Sequence, residues 1–118
     1  MKKAILLIIC AAALAACSSA PKRVGINAVP AKVTKAIAKA DKSCTVDADC
    51  AAVQKGCCMC AGYEAVNKAA AAALKPIWEK ECALAACTLQ MCYVEINTSC
   101  QQGACVGTPK PMKECFAQ

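Results

Sequence analysis

The apolar positions of this chain change character three times. Behind Met1, Lys2 and Lys3, Ala4 to Ala13 form an unbroken apolar run. The next stretch, "SSAPKRVGINAVP" from Ser18 to Pro30, has no periodicity; its two prolines and one glycine read as a linker. In "AKVTKAIAKADK", Val33, Ala36, Ile37 and Ala40 recur at i, i+3, i+4 and i+7, with lysines largely elsewhere, which predicts a short helix. Between Cys60 and Cys82 a second helical period appears: Val66, Ala70, Ala73, Leu74, Ile77 and Trp78 make one apolar face. Ala69 to Ala73 have the best helix propensity available, Asn67 is the expected cap, and Pro76 is expected to kink this helix, or to end it and begin another. Farther on the period drops to two. Val94, Ile96 and Thr98 share one face and Tyr93, Glu95 and Asn97 the other, as in a strand. Gln101-Gln102-Gly103 supplies a turn, Ala104 to Val106 a returning strand, and Cys50 to Val53 a third short candidate. "GTPKPMKECFAQ", with two prolines, reads as an extended tail. The expected fold is a small disulfide-rich α+β domain, one alanine-rich helix packed on a short antiparallel hairpin or three-stranded sheet.

Composition explains why sulfur enters that expectation. From Cys44 to Gln118 only seventeen larger apolar residues occur among 75, and fifteen more are alanine. At ~25 cal/mol per Å² of apolar surface such a core gives little margin over chain entropy, and small domains of this kind need staples. The chain of 118 residues carries thirteen cysteines and no histidine. Without histidine, Ser-His-Asp and Cys-His catalysis and every imidazole zinc site are excluded. No catalytic residue set stands out, and no enzyme is expected.

The amino-terminal run has the charged start and length of a signal peptide, and is shorter than the roughly 20 apolar residues that span a bilayer. Leu14-Ala15-Ala16-Cys17 resembles the bacterial lipobox. The resemblance implies cleavage before Cys17, diacylglycerol on its sulfur and acylation of the new amino terminus, with each buried CH₂ contributing ~0.8 kcal/mol to anchoring. Cys10 leaves with the signal as a small hydrophobe. Ser18 and Ser19, with no Asp in the second position, favour the outer membrane by resemblance to lipoprotein sorting rules. The expected division is residues 1–16 signal peptide, 17–43 lipidated basic tether, and 44–118 cysteine-rich domain. Charge supports it: residues 17–43 hold six basic side chains against one acid, a net of +5, whereas 44–118 hold six lysines against seven acids. The tether is expected either to touch anionic headgroups, where each lysine adds ~1 kcal/mol, or to act as a solvated spacer. Nucleic acid is excluded as a partner by compartment and by the lack of aromatics among the lysines. No cofactor is expected beyond the covalent lipid, and the protein or envelope partner has no signature.

Eleven cysteines remain after cleavage with Cys17 set aside: Cys44, Cys50, Cys57, Cys58, Cys60, Cys82, Cys87, Cys92, Cys100, Cys105 and Cys115. In an exported chain such density reads as a disulfide framework, with five pairs and one cysteine over. Cys57 and Cys58 are not expected to bond each other. An extended "CCMC" would send Cys58 and Cys60 to one face and Cys57 to the other, stitching two parts of the domain. Competing readings exist for the same residues. Cys57-Cys58-Met59-Cys60 contains C-x-x-C, but no βαβ context for a thioredoxin-like site. Met59, Met91 and Cys92 are soft ligands suited to Cu(I) if thiols stay reduced. Asp47 and Asp49 offer two carboxylates where calcium wants six to eight oxygens, so a capped turn is expected instead. Trp78 is expected to be a half-buried anchor.

With "CTVDADC", "GCCMC", "AVNKAAAAAL" and "SCQQGACVG" in view, the chain resembles bacterial exported proteins of an eight-cysteine-cluster type, over roughly Cys44 to Val106. The resemblance implies no activity. The expected function is a lipid-anchored, disulfide-stapled binding or structural module of the cell envelope. The alternatives are a protease inhibitor acting through Lys55 or Lys110, preorganised by its staples, and a thiol redox or copper protein.

Overall fold

A computed structural model describes residues 25–112. The signal segment, the lipobox with Cys17, and Cys115 lie outside the described residues. Helix α1 spans Ala31–Ala38. Strand β1, Cys50–Gln54, pairs antiparallel with β2, Tyr63–Asn67, and helix α2, Lys68–Cys82, follows directly. Strands β3, Ile96–Gln101, and β4, Ala104–Pro109, form a second antiparallel pair. Short 3₁₀ turns occupy Asp47–Asp49 and Met59–Ala61. The described residues thus form a small disulfide-rich α+β unit with two helices and two two-stranded sheets.

Strand β2 organises the packing. Successive strand residues point to opposite faces, and here both faces are buried: Ala65 is 1% and Val66 0% exposed. Val66 joins Val33, Ile37 and Leu74, with Trp78, Ala70 and Ala71 packed around them. Ala65 joins Cys50 and Cys105, with Cys44, Ile96 and Cys100 alongside. The β1–β2 pair is therefore a wall. The helices pack on one side of it and the β3–β4 hairpin on the other.

The expected second helix is corrected in two respects. Val66 is not on it. Asn67 has extended φ and ψ of −72° and 160°, and its side chain accepts a hydrogen bond from the Ala70 amide at 2.8 Å. The cap therefore stands where expected, and residues before it cannot be helical; the four-residue step from Val66 to Ala70 is coincidental. The helix also neither ends nor restarts at Pro76, which lies inside it. Helix α1 precedes Cys44, and its Val33 and Ile37 are buried in the core. The periodic face in the basic segment is covered by protein rather than by headgroups or solvent. Its Lys32 pairs with Glu81 at 3.3 Å, and Lys42 with Glu64 at 3.2 Å.

Among the strands, the candidate Cys50 to Val53 falls in β1 and Gln102-Gly103 turns the hairpin as expected, but the alternating stretch is strand only from Ile96; Tyr93, Val94 and Glu95 precede β3, which runs on to Gln101, and β4 continues to Pro109. The main chain of Lys42 to Cys44 runs beside this hairpin. Cys44 N–H donates to Gly103 C=O at 3.1 Å and Cys105 N–H to Lys42 C=O at 2.7 Å.

Candidate functional site

The cysteine pairs fall in two sets. Cys44–Cys100 and Cys50–Cys105 fasten the segment before β1 and the first residue of β1 to the β3–β4 hairpin. Cys57–Cys82, Cys58–Cys87 and Cys60–Cys92 fasten the β1–β2 connection to the end of α2 and the segment after it. Within each set the earlier cysteine takes the earlier partner, so each set is a ladder of rungs between two stretches running in step. Cα separations are 5.2 to 5.8 Å, the ordinary range. "CCMC" does stitch two parts of the molecule: Cys57 takes the last residue of α2, and Cys58 and Cys60 take the segment beyond. The segment is a turn rather than extended, with Met59–Ala61 in 3₁₀ conformation.

Aspartates hold the first ladder in place. Asp47 accepts the amide of Cys100, itself the hairpin cysteine of the first rung, at 2.7 Å. Asp49 accepts from the Thr45 N–H at 2.9 Å, the Thr45 hydroxyl at 2.8 Å and the Val46 N–H at 3.1 Å. Those donors, the Thr45 amide first, hold its carboxyl below the usual aspartate range against a small opposing effect of desolvation; Lys68 adds a minor attraction. Both carboxylates are thus committed to backbone, the capped turn expected in place of calcium.

Sulfur chemistry is constrained by the same pairing. The Sγ atoms of Cys44, Cys50 and Cys105 lie within 4.8 Å of one another, close enough for a shared metal. Each is bonded to another sulfur, so none offers a thiolate. Cys92, grouped with Met59 and Met91 as a soft ligand, is bonded to Cys60. The C-x-x-C of Cys57 and Cys60 is divided between two different partners.

The best-formed apolar concavity, about 270 Å³, lies between α1, β1 and α2; Val33, Ile37, Val53, Leu74 and Trp78 contribute to its walls. Trp78 is the expected half-buried anchor: its Nε1–H donates to Gly56 C=O at 2.8 Å. Gly56 has no room for a side chain, since a Cβ there would stand 2.7 Å from Ala61 Cβ and 3.0 Å from Val29 Cγ2. The two lysines considered for a protease pocket sit differently. Lys110 Nζ bonds Glu95 Oε2 at 2.9 Å. Lys55 is exposed, but its N–H donates to Gly62 C=O as a continuation of the β1–β2 ladder, and buried Gly56 and Cys57 follow it.

Sequence reasoning missed the docking of the linker's end. Ile26 bridges Ala86, Asn27 N–H donates to Ala86 C=O at 2.9 Å, and Cys57 N–H donates to Ala28 C=O at 2.9 Å. Asn27 also exchanges side-chain hydrogen bonds with Thr88. These are backbone pairings between irregular segments, which leave no periodic trace.

No family model matches the chain. No curated protein matches it, and no solved structure does.

Proposed function

We propose that this protein is a lipid-anchored, disulfide-stapled binding or structural module of the bacterial cell envelope, held at the outer membrane through Cys17. The observation that carries the reading is the use of its cysteines. Ten of the eleven expected after cleavage form five disulfides, and Cys115 lies outside the described residues. Such pairing belongs to an oxidising compartment, which the signal segment and Leu14-Ala15-Ala16-Cys17 independently suggest. Lys22 and Arg23, between anchor and body, suit anionic headgroups. The likeness to eight-cysteine-cluster proteins belongs to this reading. Its shared motifs have structural work here: Asp47 binds the Cys100 amide and Asn67 caps α2. No enzymatic activity or cofactor is proposed.

The intact mass of protein extracted from membranes, before and after reduction and alkylation, tests the reading. Acyl mass on the fragment beginning at Cys17, and ten cysteines alkylated only after reductant, are expected. Absence of acyl mass removes the anchor. Alkylation of most cysteines without reductant removes the staples.

A further inference from the structure

Three stretches of this chain lack any charged residue: Val24 to Ala31, Gly56 to Tyr63, and Cys82 to Val94. They are far apart in sequence, and the fold brings them to one end of the molecule. Three disulfides join the second to the third. Backbone hydrogen bonds from Asn27 to Ala86 and from Cys57 to Ala28 join the first to both. The four ion pairs among the described residues involve none of the three stretches.

The same end is rich in uncovered apolar groups. Of the ten large hydrophobic residues exposed among the described residues, seven lie on these three stretches. Ile26, Leu84 and Met91 are each about 70% exposed, and Leu89 is fully so at 101%. Single exposed hydrophobes need no explanation, but a concentration of them on uncharged stretches marks contact with something apolar. The staples matter to this. Residues 83–95 have almost no regular structure, and without the rungs at Cys82, Cys87 and Cys92 such a loop would fold its leucines inward or stay disordered. Held open, it loses little further freedom on contact.

The position of the amino terminus says what the contact is. Cys17 precedes Ile26 by nine residues, a reach of at most about 32 Å fully extended. The chain therefore enters the folded unit at this end, through the stretch that docks on the loop. A membrane holding Cys17 therefore lies within that reach of Ile26 and of the end of the molecule that carries Leu84, Leu89 and Met91. Charged side chains resist entry into a bilayer, and the three stretches carry none of their own; the Lys55 ammonium, which lies over Gly62, suits the headgroup layer.

We propose that the stapled 83–93 loop, with Ile26 and Met59, is a second membrane contact: an apolar surface of uncharged residues that enters the headgroup–acyl boundary of the bilayer in which Cys17 is anchored. The proposal rests on the anchor reading. It gives the anchored module a fixed orientation, with the β3–β4 hairpin's turn and the Asp47–Asp49 turn directed away from the membrane side of the β1–β2 wall.

The test uses the mature lipoprotein in vesicles of phosphatidylethanolamine and phosphatidylglycerol, with ordinary or brominated acyl chains. The single native tryptophan, Trp78, supplies the background signal. Leu89→Trp adds a reporter at a fully exposed site that folding does not use. Val46→Trp adds one on an exposed residue beyond the opposite end of β1. Burial of the loop by 5–10 Å should cost the Leu89→Trp reporter about half of its added emission in brominated vesicles, with the Val46→Trp reporter unaffected. Acylated protein whose Leu89→Trp emission ignores bromine overturns the inference and leaves the anchor standing. A bromine-independent blue shift overturns it in favour of a protein partner or a second copy. Equal quenching of both reporters overturns the orientation. Absence of acyl mass in the same sample overturns the anchor reading, and this inference with it.

Discussion

Gln102 holds its backbone at φ 52°, followed by Gly103 at φ 77°. Two consecutive positive values between paired strands make a tight hairpin turn of the type that favours Asn-Gly, and only the second residue is suited to it. Gln102→Asn should therefore stabilise the fold, by up to ~1 kcal/mol, because asparagine visits this region at lower cost; a chemical denaturation midpoint reads the gain. Asp49 presents the opposite case, a residue already well placed. Its folded-state pKa is depressed by the Thr45 and Val46 donors. The stabilisation is thus complete above the unfolded value near 3.9 and lost as pH falls through the lower folded value. The Thr45 amide resonance should titrate below about pH 4 in the wild type, and Asp49→Asn should abolish that titration. A wild-type midpoint at or above the usual aspartate value would contradict the assignment. Such residues are legible in sequence as types: an aspartate pair before a cysteine reads as a turn. Which backbone amide Asp47 reaches, 53 residues away at Cys100, is not legible, because it depends on where β3 is brought.

Pro76 stands inside α2 and is exposed. It removes the N–H that Ala72 C=O would accept, and its ring is exposed rather than buried in the core. Pro76→Ala should raise stability by on the order of 1–3 kcal/mol, less the unfolded-state entropy that proline removes. Thermal unfolding checks this, and a lower midpoint would show that the ring has a structural role. Helix α2 was visible in its spacing and its cap because both are local. The strand before it was not. Tyr63–Asn67 is buried on both faces, so it lacks the alternation of a half-exposed strand, and its Val66 falls by chance in register with the helix that follows. Helix α1 was legible as a helix, but its apolar face says only that something covers it. The cover is Val66 on β2 and Leu74 on α2.

Among the described residues, two small clusters separated by a two-stranded wall replace a single core, and Val66 is the one larger side chain that is completely buried. Disulfides closing 25 to 56 residues would each contribute about 3.5 to 4 kcal/mol taken alone on the chain-entropy account, and less together because their loops interlace. Reduction should therefore unfold the protein at room temperature with loss of the near-ultraviolet circular dichroism of Trp78; retention of that signal in strong reductant without metal would show that the apolar clusters suffice. What the sequence by itself determined was the need for sulfur, the local helices, the turn residues and the proposed membrane address, since composition, period and short motifs require no knowledge of neighbours. What only the tertiary structure decided was which cysteines meet, that a basic tether ends in a core helix, and that three uncharged stretches share one end. Those depend on contacts between distant segments. A cysteine carries no mark of its partner, and an exposed leucine does not name its neighbour until the chain has folded.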